Sequence, residues 1–251
     1  MSGYIDSFKK RGFCTQDNLV NNEEICLIME RLENLVNYAI EENNIDLNKE
    51  SSLDKKLVHL YQNYPNVAGS VYDAINMSLH VNSAFNGKDL RSAIADLVGT
   101  GEEDLIIGNI QFFIKPKNTE HYLGWHQDSS YFADFDPDSS LVCWIPLVDG
   151  DSSNGALWVV PGSHKLGKLE YVENERGRHK EMEWNKRGLT YIDKKYFDDS
   201  EKIQIEVKKG QVAFFDFNLV HKSGLQTASE VRYTMLARFG SAKNKIKYVG
   251  G

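Results

Sequence analysis

Two stretches organise this chain: Trp125-His126-Gln127-Asp128 and, far downstream, Phe-Phe-Asp-Phe-Asn-Leu-Val-His-Lys-Ser-Gly at 214–224. On an extended strand, residues two positions apart point to the same side of the sheet. The side chains of His126 and Asp128 are therefore predicted to reach toward one point. His221, within the second stretch, supplies another imidazole.

These three side chains together are a candidate metal site. Two histidines and one carboxylate on one face of a metal ion leave the opposite positions open, which is the ligand set of non-haem Fe(II) oxygenases. An isolated His-x-Asp pair also occurs in proteins without a metal, and a histidine on a strand is more often packed or exposed. The surrounding residues must therefore decide between the two interpretations.

Composition limits the class of protein. The chain has 251 residues, 41% of them hydrophobic, which is enough for a full core in one domain. Its net charge of -7 makes nucleic acid and anionic membranes unfavourable partners. Cys14, Cys26 and Cys143 show no paired spacing, which favours free thiols in a reducing compartment. Without a signal peptide or a long apolar run, the sequence predicts a cytoplasmic protein.

The hydrophobic pattern is helical at first and changes to strands near Leu105. The spacing of apolar residues predicts an amphipathic helix over Asn22–Glu42, begun by capping and acidic residues. Other helices are predicted at 4–10, from 56 to an interruption at Pro65, at 67–79 and at 88–98. Strands are predicted at 13–15, 105–114, 141–147, 156–160, 189–192, 203–207, 211–217 and 232–239.

Helices first and many short strands later predict a β-sandwich or jelly roll with helices packed outside. We expect one domain over 1–251, with a helical part at about 1–103 and a jelly-roll core at about 104–240. The charged segment 166–187 is expected to be an irregular surface insert near the mouth of the site, and a lid is one hypothesis for it.

Several motifs, in order, carry a resemblance to a known family. They are Gly-Trp-His-Gln-Asp at 124–128, Trp-Ile-Pro-Leu at 144–147, Asn-Gly-Ala-Leu at 154–157, Pro-Gly-Ser-His at 161–164, and His-Lys-Ser-Gly at 221–224 followed by Arg232. With them the chain resembles the phytanoyl-CoA dioxygenase family of Fe(II)- and 2-oxoglutarate-dependent oxygenases, from Gly12 to Phe239. The resemblance implies a mainly β fold with N-terminal and flanking helices, built as a cupin-like double-stranded β-helix (jelly roll).

The resemblance also implies roles for individual residues. His126, Asp128 and His221 would bind Fe(II). Arg232 would bind the remote carboxylate of 2-oxoglutarate, because a buried carboxylate needs a charged and preferably bidentate partner. Arg238, on the same strand, is the reserve candidate for this anchor. The remaining residues expected around the cosubstrate are Ser223, Trp144 and Gln111, although Trp144 would also serve as core and Gln111 as a surface strand position.

The substrate side is less defined. Tyr131 and Phe132 follow the metal motif and are expected to border the mouth, while Phe113, Trp158 and Trp184 belong either to the mouth or to the core. His121 is expected to be exposed in a loop. The chain lacks a basic cluster for coenzyme A phosphates, which favours a small-molecule metabolite as substrate.

The predicted activity is hydroxylation of an unactivated C–H bond, with O₂ consumed, succinate and CO₂ released, and ascorbate as a supporting reductant. A carboxylate at Asp128 argues against halogenation. Desaturation and cyclisation stay open, as does the choice between monomer and homodimer. The alternatives are a cupin-like metal-dependent hydrolase or isomerase, which would not need Arg232, and a non-catalytic binding module that kept the fold.

Overall fold

The computed structural model describes residues 3–48, 50–117, 124–132, 135–150, 153–174 and 189–248. The helices are α1 Gly3–Arg11, α2 Asn22–Glu42, α3 Leu53–Asn63, α4 Pro65–Asn76, α5 Leu79–Ser83, α6 Lys88–Val98 and α7 Ala242–Tyr248. The strands are β1 Phe13–Asp17, β2 Leu105–Lys115, β3 Leu141–Pro146, β4 Leu157–Val159, β5 Tyr171–Asn174, β6 Leu189–Ile192, β7 Ile203–Ile205, β8 Gln211–Asp216, β9 His221–Lys222 and β10 Arg232–Ser241. None of these helices combines the length and the apolar character that a membrane span requires.

The strands form antiparallel sheets. A five-stranded sheet has the order β1-β8-β3-β10-β2, and a three-stranded sheet has the order β7-β4-β9. The hairpin β5-β6 stands apart from both. His126 extends the three-stranded sheet, because it forms an isolated antiparallel bridge with His221 of β9. The described chain is therefore mainly antiparallel sheet with helices, as expected.

The five-stranded sheet is covered on both faces, and β3 demonstrates this. All six residues of β3 are buried. Cys143 and Ile145 pack into the core that contains the helices, whereas Val142 and Trp144 pack with residues of the three-stranded sheet. A strand covered on both sides has a continuous apolar sequence rather than an alternating one. The architecture has three layers: helices, the five-stranded sheet, and the three-stranded sheet.

Helix α2 is the longest element of the helical layer, and its bounds are those predicted. The side chain of Asn21 accepts a hydrogen bond from the backbone N–H of Glu23, which caps the first turn. The buried face of α2 consists of Ile25, Ile28, Leu32, Val36 and Ile40. Burying each of these large aliphatic side chains contributes about 1.5–3 kcal/mol to the free energy of folding.

Two local predictions need correction. Pro65 does not only end a helix: it occupies the first turn of α4, where its missing N–H has no partner to lose. The segment 166–187 is not wholly irregular, because it contains β5, which pairs with β6. Residues 175–188 lie outside the described part of the chain, so the lid hypothesis and Trp184 lie outside it as well, and so does His121.

Candidate metal centre and anion pocket

The backbone brings His126 and His221 together. The N–H of His126 donates to the carbonyl of His221 at 2.9 Å, and the N–H of His221 donates to the carbonyl of His126 at 3.0 Å. Residues directly opposite each other in an antiparallel pair project their side chains from the same face. The two imidazole rings accordingly lie with their centroids 4.1 Å apart.

Asp128 reaches the same point by a different route from the one predicted. It does not continue an extended strand but begins a short 3-10 turn, Asp128–Ser130. Its Oδ2 lies 3.4 Å from Nε2 of His221. One ligand atom from each of Asp128, His126 and His221 lies within 4.8 Å of the others, and all three residues are buried. The turn rather than a strand face therefore delivers the carboxylate.

The hydrogen bonds of the histidines fit a metal ion. Nδ1 of His126 lies 2.8 Å from the carbonyl of Gly124, and Nδ1 of His221 lies 2.9 Å from the carbonyl of Leu219. A carbonyl oxygen only accepts, so both Nδ1 atoms carry the proton and both Nε2 atoms present a lone pair. A lone pair of His221 then faces an oxygen of Asp128. Two acceptors so close need a cation between them, and a metal ion bound by these residues would supply it.

Charge within the centre is balanced for metal binding. Burial, and then the proximity of His221, lowers the pKa of His126 to about 3, so the ring is neutral, as a metal ligand must be. Burial alone would raise the pKa of Asp128, but Arg238 and the two histidines outweigh it and hold the pKa below its ordinary value. The centre therefore presents a neutral His126 ring and an ionised Asp128 carboxylate.

A second cluster of charge lies next to this centre. Arg232 is the register partner of Lys115 across β10 and β2. Both are buried, with exposed fractions of 5% and 6%. Burial, and then the charge of Arg232, lowers the pKa of Lys115 to about 7, and burial lowers the pKa of Arg232 to about 10. Two buried cations side by side are unfavourable unless an anion joins them.

The described residues supply no carboxylate for these cations. Arg232 donates through Nη1 to the carbonyl of Gly155, and Lys115 donates through Nζ to the carbonyl of Gly224 at 3.1 Å. No described acid forms an ion pair with either of them, and Nε of Arg232 is buried without a hydrogen-bond partner. We name Arg232, Lys115 and the two glycine carbonyls the anion pocket.

Close backbone packing shapes this pocket. A Cβ added at Gly224 would collide with the carbonyl of Ala156, and Gly155 has a φ of +80°, in the region that favours glycine. Glycine is therefore required at both positions, where the motif at 154–157 packs against the motif at 221–224. Ser223, buried at 8% exposure, lies between His221 and Gly224 and so links the metal centre to the anion pocket.

The other predicted residues take different places. Trp144 is buried in the core between the two sheets. The side-chain oxygen of Gln111 accepts from Nη1 of Arg238 at 2.7 Å. Tyr131 lies edge-on to His126, with ring centroids 5.6 Å apart. Phe132 lies under the guanidinium of Arg238, whose central carbon is 4.2 Å from the ring centroid.

Phe113 and Trp158, both predicted to border the substrate, lie in different sheets. Phe113 is half-buried in β2, opposite Thr234 of β10. Trp158 packs against a separate cluster that contains Trp125, while its neighbour Val159 faces the core between the sheets. Because successive residues of a strand point to opposite faces, Trp158 points away from the metal centre. We therefore withdraw Trp158 from the residues that border the substrate.

Two residues of the site were not recognised from the sequence in these roles. Lys115 ends a long apolar strand, and only the pairing of β2 with β10 reveals that it adjoins Arg232. Arg238 was the reserve candidate for the cosubstrate anchor, but it contacts Asp128 instead. A lysine at the end of an apolar strand was the available signal for Lys115.

The fold and the site define a class: an antiparallel two-sheet protein with a buried His-Asp-His centre beside a pocket for an anion. Comparison with known proteins agrees, because the phytanoyl-CoA dioxygenase family profile matches residues 8–233. The chain belongs to this family.

Individual relatives are more distant. The peroxisomal phytanoyl-CoA dioxygenase of Rattus norvegicus is 31% identical over 138 residues, which cover 54% of this chain and 38% of the rat protein. The chain thus spans well under half of that relative. EvdO2 of Micromonospora carbonacea var. aurantiaca, complexed with 2-oxoglutarate, has a TM-score of 0.62 at 18% identity, covering 96% of this chain and 91% of EvdO2.

The epimerase SnoN, in complex with Fe3+, alpha ketoglutarate and nogalamycin RO, has a TM-score of 0.62 at 16% identity. The match covers 95% of this chain and 82% of SnoN. At these identities the two solved structures show a shared fold.

Proposed function

We propose that this protein is a non-haem Fe(II)- and 2-oxoglutarate-dependent dioxygenase. The observation that carries the proposal is the anion pocket, in which Arg232 and Lys115 are buried without an acid partner among the described residues. The short run from His221 to Gly224 joins this pocket to the metal centre. At about 3.3 Å per residue, the two sites are about 10 Å apart or closer. A dicarboxylate can bind the metal at one end and the cations at the other.

Each residue then has a task. His126, Asp128 and His221 would hold Fe(II), and a metal bound by these three ligands would keep its opposite positions open. Arg232 and Lys115 bind the remote carboxylate of 2-oxoglutarate, and Ser223 donates its hydroxyl to the same group. Trp144 forms a wall of the pocket, and Gln111 borders it while it is held by Arg238. When bound, Fe(II) and 2-oxoglutarate supply the oxidising chemistry that consumes O₂ and releases succinate and CO₂.

The aromatic rings of Tyr131 and Phe132, near the open positions of the metal centre, would keep water out of the site. Tyr131 and Phe132 belong to the turn that carries Asp128, since the N–H of each bonds to the carbonyl of Asp128 at 2.9 Å and 3.2 Å. Phe113, on β2 opposite Thr234, is our further candidate for an apolar contact with substrate. A dry site limits side oxidation, and so these rings would confine the reaction to a bound substrate.

We further propose that the two facing sheets form a double-stranded β-helix within a single domain over 1–251. The helical part at about 1–103 and the core at about 104–240 share one hydrophobic cluster, in which Ile28 of α2 and Phe214 of β8 both take part. That shared core supports one folding unit. Monomer or homodimer, and the cytoplasmic location, stay predictions.

The proposed reaction is hydroxylation of an unactivated C–H bond of a small metabolite. The ionised Asp128 occupies a ligand position that halogenation would leave to chloride, which favours oxygenation. Desaturation and cyclisation share the same site requirements. Product analysis with an accepted substrate separates these outcomes.

The test is formation of succinate from 2-oxoglutarate by the purified protein with Fe(II) and ascorbate. We expect slow turnover even without substrate, and its loss in His126→Ala and Arg232→Ala. Arg91→Ala is the matched control, because Arg91 forms an exposed ion pair with Glu102. Absence of turnover together with absence of 2-oxoglutarate binding to the Fe(II) form would contradict the proposal. Metal-dependent hydrolysis that survives Arg232→Ala would favour the hydrolase alternative.

A further inference from the structure

We propose that Arg238 is a positioning residue that restricts Asp128 to binding the metal through one oxygen. The inference rests on the proposed metal centre. Nε and Nη2 of Arg238 both donate to Oδ1 of Asp128, at 3.1 Å and 2.8 Å. Each oxygen of an ionised carboxylate has about two acceptor sites, so these two bonds occupy Oδ1. Oδ2, which lies 3.4 Å from Nε2 of His221, is the oxygen left for a metal.

Arg238 is itself held on three sides. Its Nη1 donates to the side-chain oxygen of Gln111 at 2.7 Å and to the carbonyl of Asn109 at 3.3 Å. The ring of Phe132 covers one face of the guanidinium. Only 7% of the residue is exposed. Such a guanidinium has little freedom to turn, so it can fix the orientation of the carboxylate that it contacts.

An irregularity in the sheet provides one of these contacts. The register between β10 and β2 shifts between Leu236 and Arg238, whose partners are Gln111 and Gly108. Asn109 is thereby unpaired in the ladder and has a φ of +48°, in the left-handed region. Bulges of this kind re-aim groups near functional sites. Here the bulge presents the carbonyl of Asn109 to Nη1 of Arg238.

The number of oxygens that Asp128 offers matters for the open side of the metal. With one oxygen from Asp128 and one nitrogen from each histidine, three positions of a six-coordinate ion stay open. If both carboxylate oxygens bound the metal, one of these positions would be lost. Arg238 prevents this by occupying Oδ1. The residue thus keeps the number of open positions at what a chelating acid and O₂ together require.

The two arginines of β10 have separate tasks. Arg232 and Arg238 face the same side of the strand, but within the described part of the chain Arg238 contacts an acid and Arg232 does not. Arg232 is directed to the anion pocket, where its contact is the carbonyl of Gly155. Loss of Arg232 should therefore weaken the binding of 2-oxoglutarate, and loss of Arg238 should weaken the binding of the metal ion.

The experiment measures the Kd of Co(II) for the metal-free protein under anaerobic conditions, together with the visible absorption spectrum of the bound ion. Arg238→Lys keeps the charge but loses the planar pair of donors, and Arg238→Met removes both. We expect each to weaken Co(II) binding about 10- to 100-fold, the range for partners of metal ligands. The Co(II) spectrum should also change, because the coordination by Asp128 changes.

Three further variants make the result specific. Gln111→Met removes the acceptor for Nη1 and should weaken Co(II) binding in the same direction but less. Arg232→Met should leave the Kd of Co(II) unchanged while it impairs 2-oxoglutarate binding. Arg91→Met serves as the surface control, and thermal melts show that each variant is folded. If the Arg238 variants fail to fold, the Kd of Co(II) for Gln111→Met tests the inference in their place.

The outcomes separate the two proposals. Wild-type Co(II) affinity and spectrum in the folded Arg238 variants, or in Gln111→Met when those do not fold, would overturn this inference alone. Failure of the wild-type protein to bind Co(II) at all would refute the metal centre, and this inference with it.

Discussion

Lys115→Met is a perturbation for which the structure predicts two effects of opposite sign. Lys115 is buried beside Arg232, and its Nζ contacts only the carbonyl of Gly224 among the described polar groups. Methionine has a similar length and no charge. The variant should bind 2-oxoglutarate less well, because it lacks one of the two cations, yet its metal-free and ligand-free form should be more stable.

The magnitudes follow from the geometry. A lost hydrogen bond to a charged group costs about 1.5–3 kcal/mol, so the Kd of 2-oxoglutarate should rise about 10- to 100-fold. The pKa of Lys115 falls from its ordinary 10.5 to about 7 on folding. At about 1.4 kcal/mol per pKa unit, this corresponds to destabilisation on the order of 4 kcal/mol near neutral pH. After allowance for imperfect packing of methionine, we expect a gain of about 2 kcal/mol, or about 4–8 °C in Tm.

The same shift fixes a pH dependence. Between about pH 7 and 10.5 the unfolded chain keeps a proton on Lys115 that the folded protein has lost. The free energy of unfolding of the ligand-free wild type should therefore rise with pH across this window, relative to that of Lys115→Met. Saturating 2-oxoglutarate should reduce the difference, since a bound carboxylate stabilises the charged amine.

The assays are urea unfolding at several pH values and titration of the Co(II) form with 2-oxoglutarate. Lys56→Met is the matched control, because Lys56 is equally buried but donates to Asn37 at 2.9 Å and lies 4.0 Å from Glu33. It should lose stability without a change in 2-oxoglutarate affinity. Wild-type 2-oxoglutarate affinity in Lys115→Met, or a loss of ligand-free stability in that variant at every pH, would refute the reasoning.

Three other perturbations have defined outcomes. Arg232→Met should raise the Kd of 2-oxoglutarate by about 100-fold or more, as expected for about 3–5 kcal/mol from a broken buried charge pair, and calorimetry on the Co(II) form measures it. An unchanged Kd would remove Arg232 from the pocket. Gly224→Ala places a methyl group against the carbonyl of Ala156 and should lower stability by about 1–3 kcal/mol in urea unfolding, whereas wild-type stability would mean that the backbone yields there. Tyr233→Phe removes the 2.5 Å bond to Asp54 that joins β10 to α3, and the expected loss is about 1–3 kcal/mol by thermal melting. A Tm equal to that of the wild type would show that this bond contributes nothing net.

Local sequence signals were sufficient for most elements. The spacing of Ile25, Ile28 and Leu32 marks the buried face of α2, and Gly12 ends α1 with a φ of +81°. These signals work because helix periodicity and glycine conformations are properties of neighbouring residues. The strand β5 escaped prediction because its stability comes from pairing with β6 across residues 175–188, which no local pattern reports.

The candidate site was predictable in part. His126, Asp128 and His221 were selected by residue type, motif and order, and they do converge. The argument that placed Asp128 on a strand face was wrong, since Asp128 begins a turn. The prediction of convergence survived because the turn and the strand bring the carboxylate to the same side.

By itself, the sequence determined where most helices and strands form, because helix and strand periodicity depends on neighbouring residues, whereas β5 depends on its pairing with β6. Only the tertiary structure decided which cations are paired. Arg238 and Asp128 are 110 positions apart, and their contact depends on a bulge in the register of β10 against β2. Arg232 and Lys115 become adjacent through the same pairing. Two arginines of one strand thus acquire different roles, since register is a property of the assembled sheet and not of either strand.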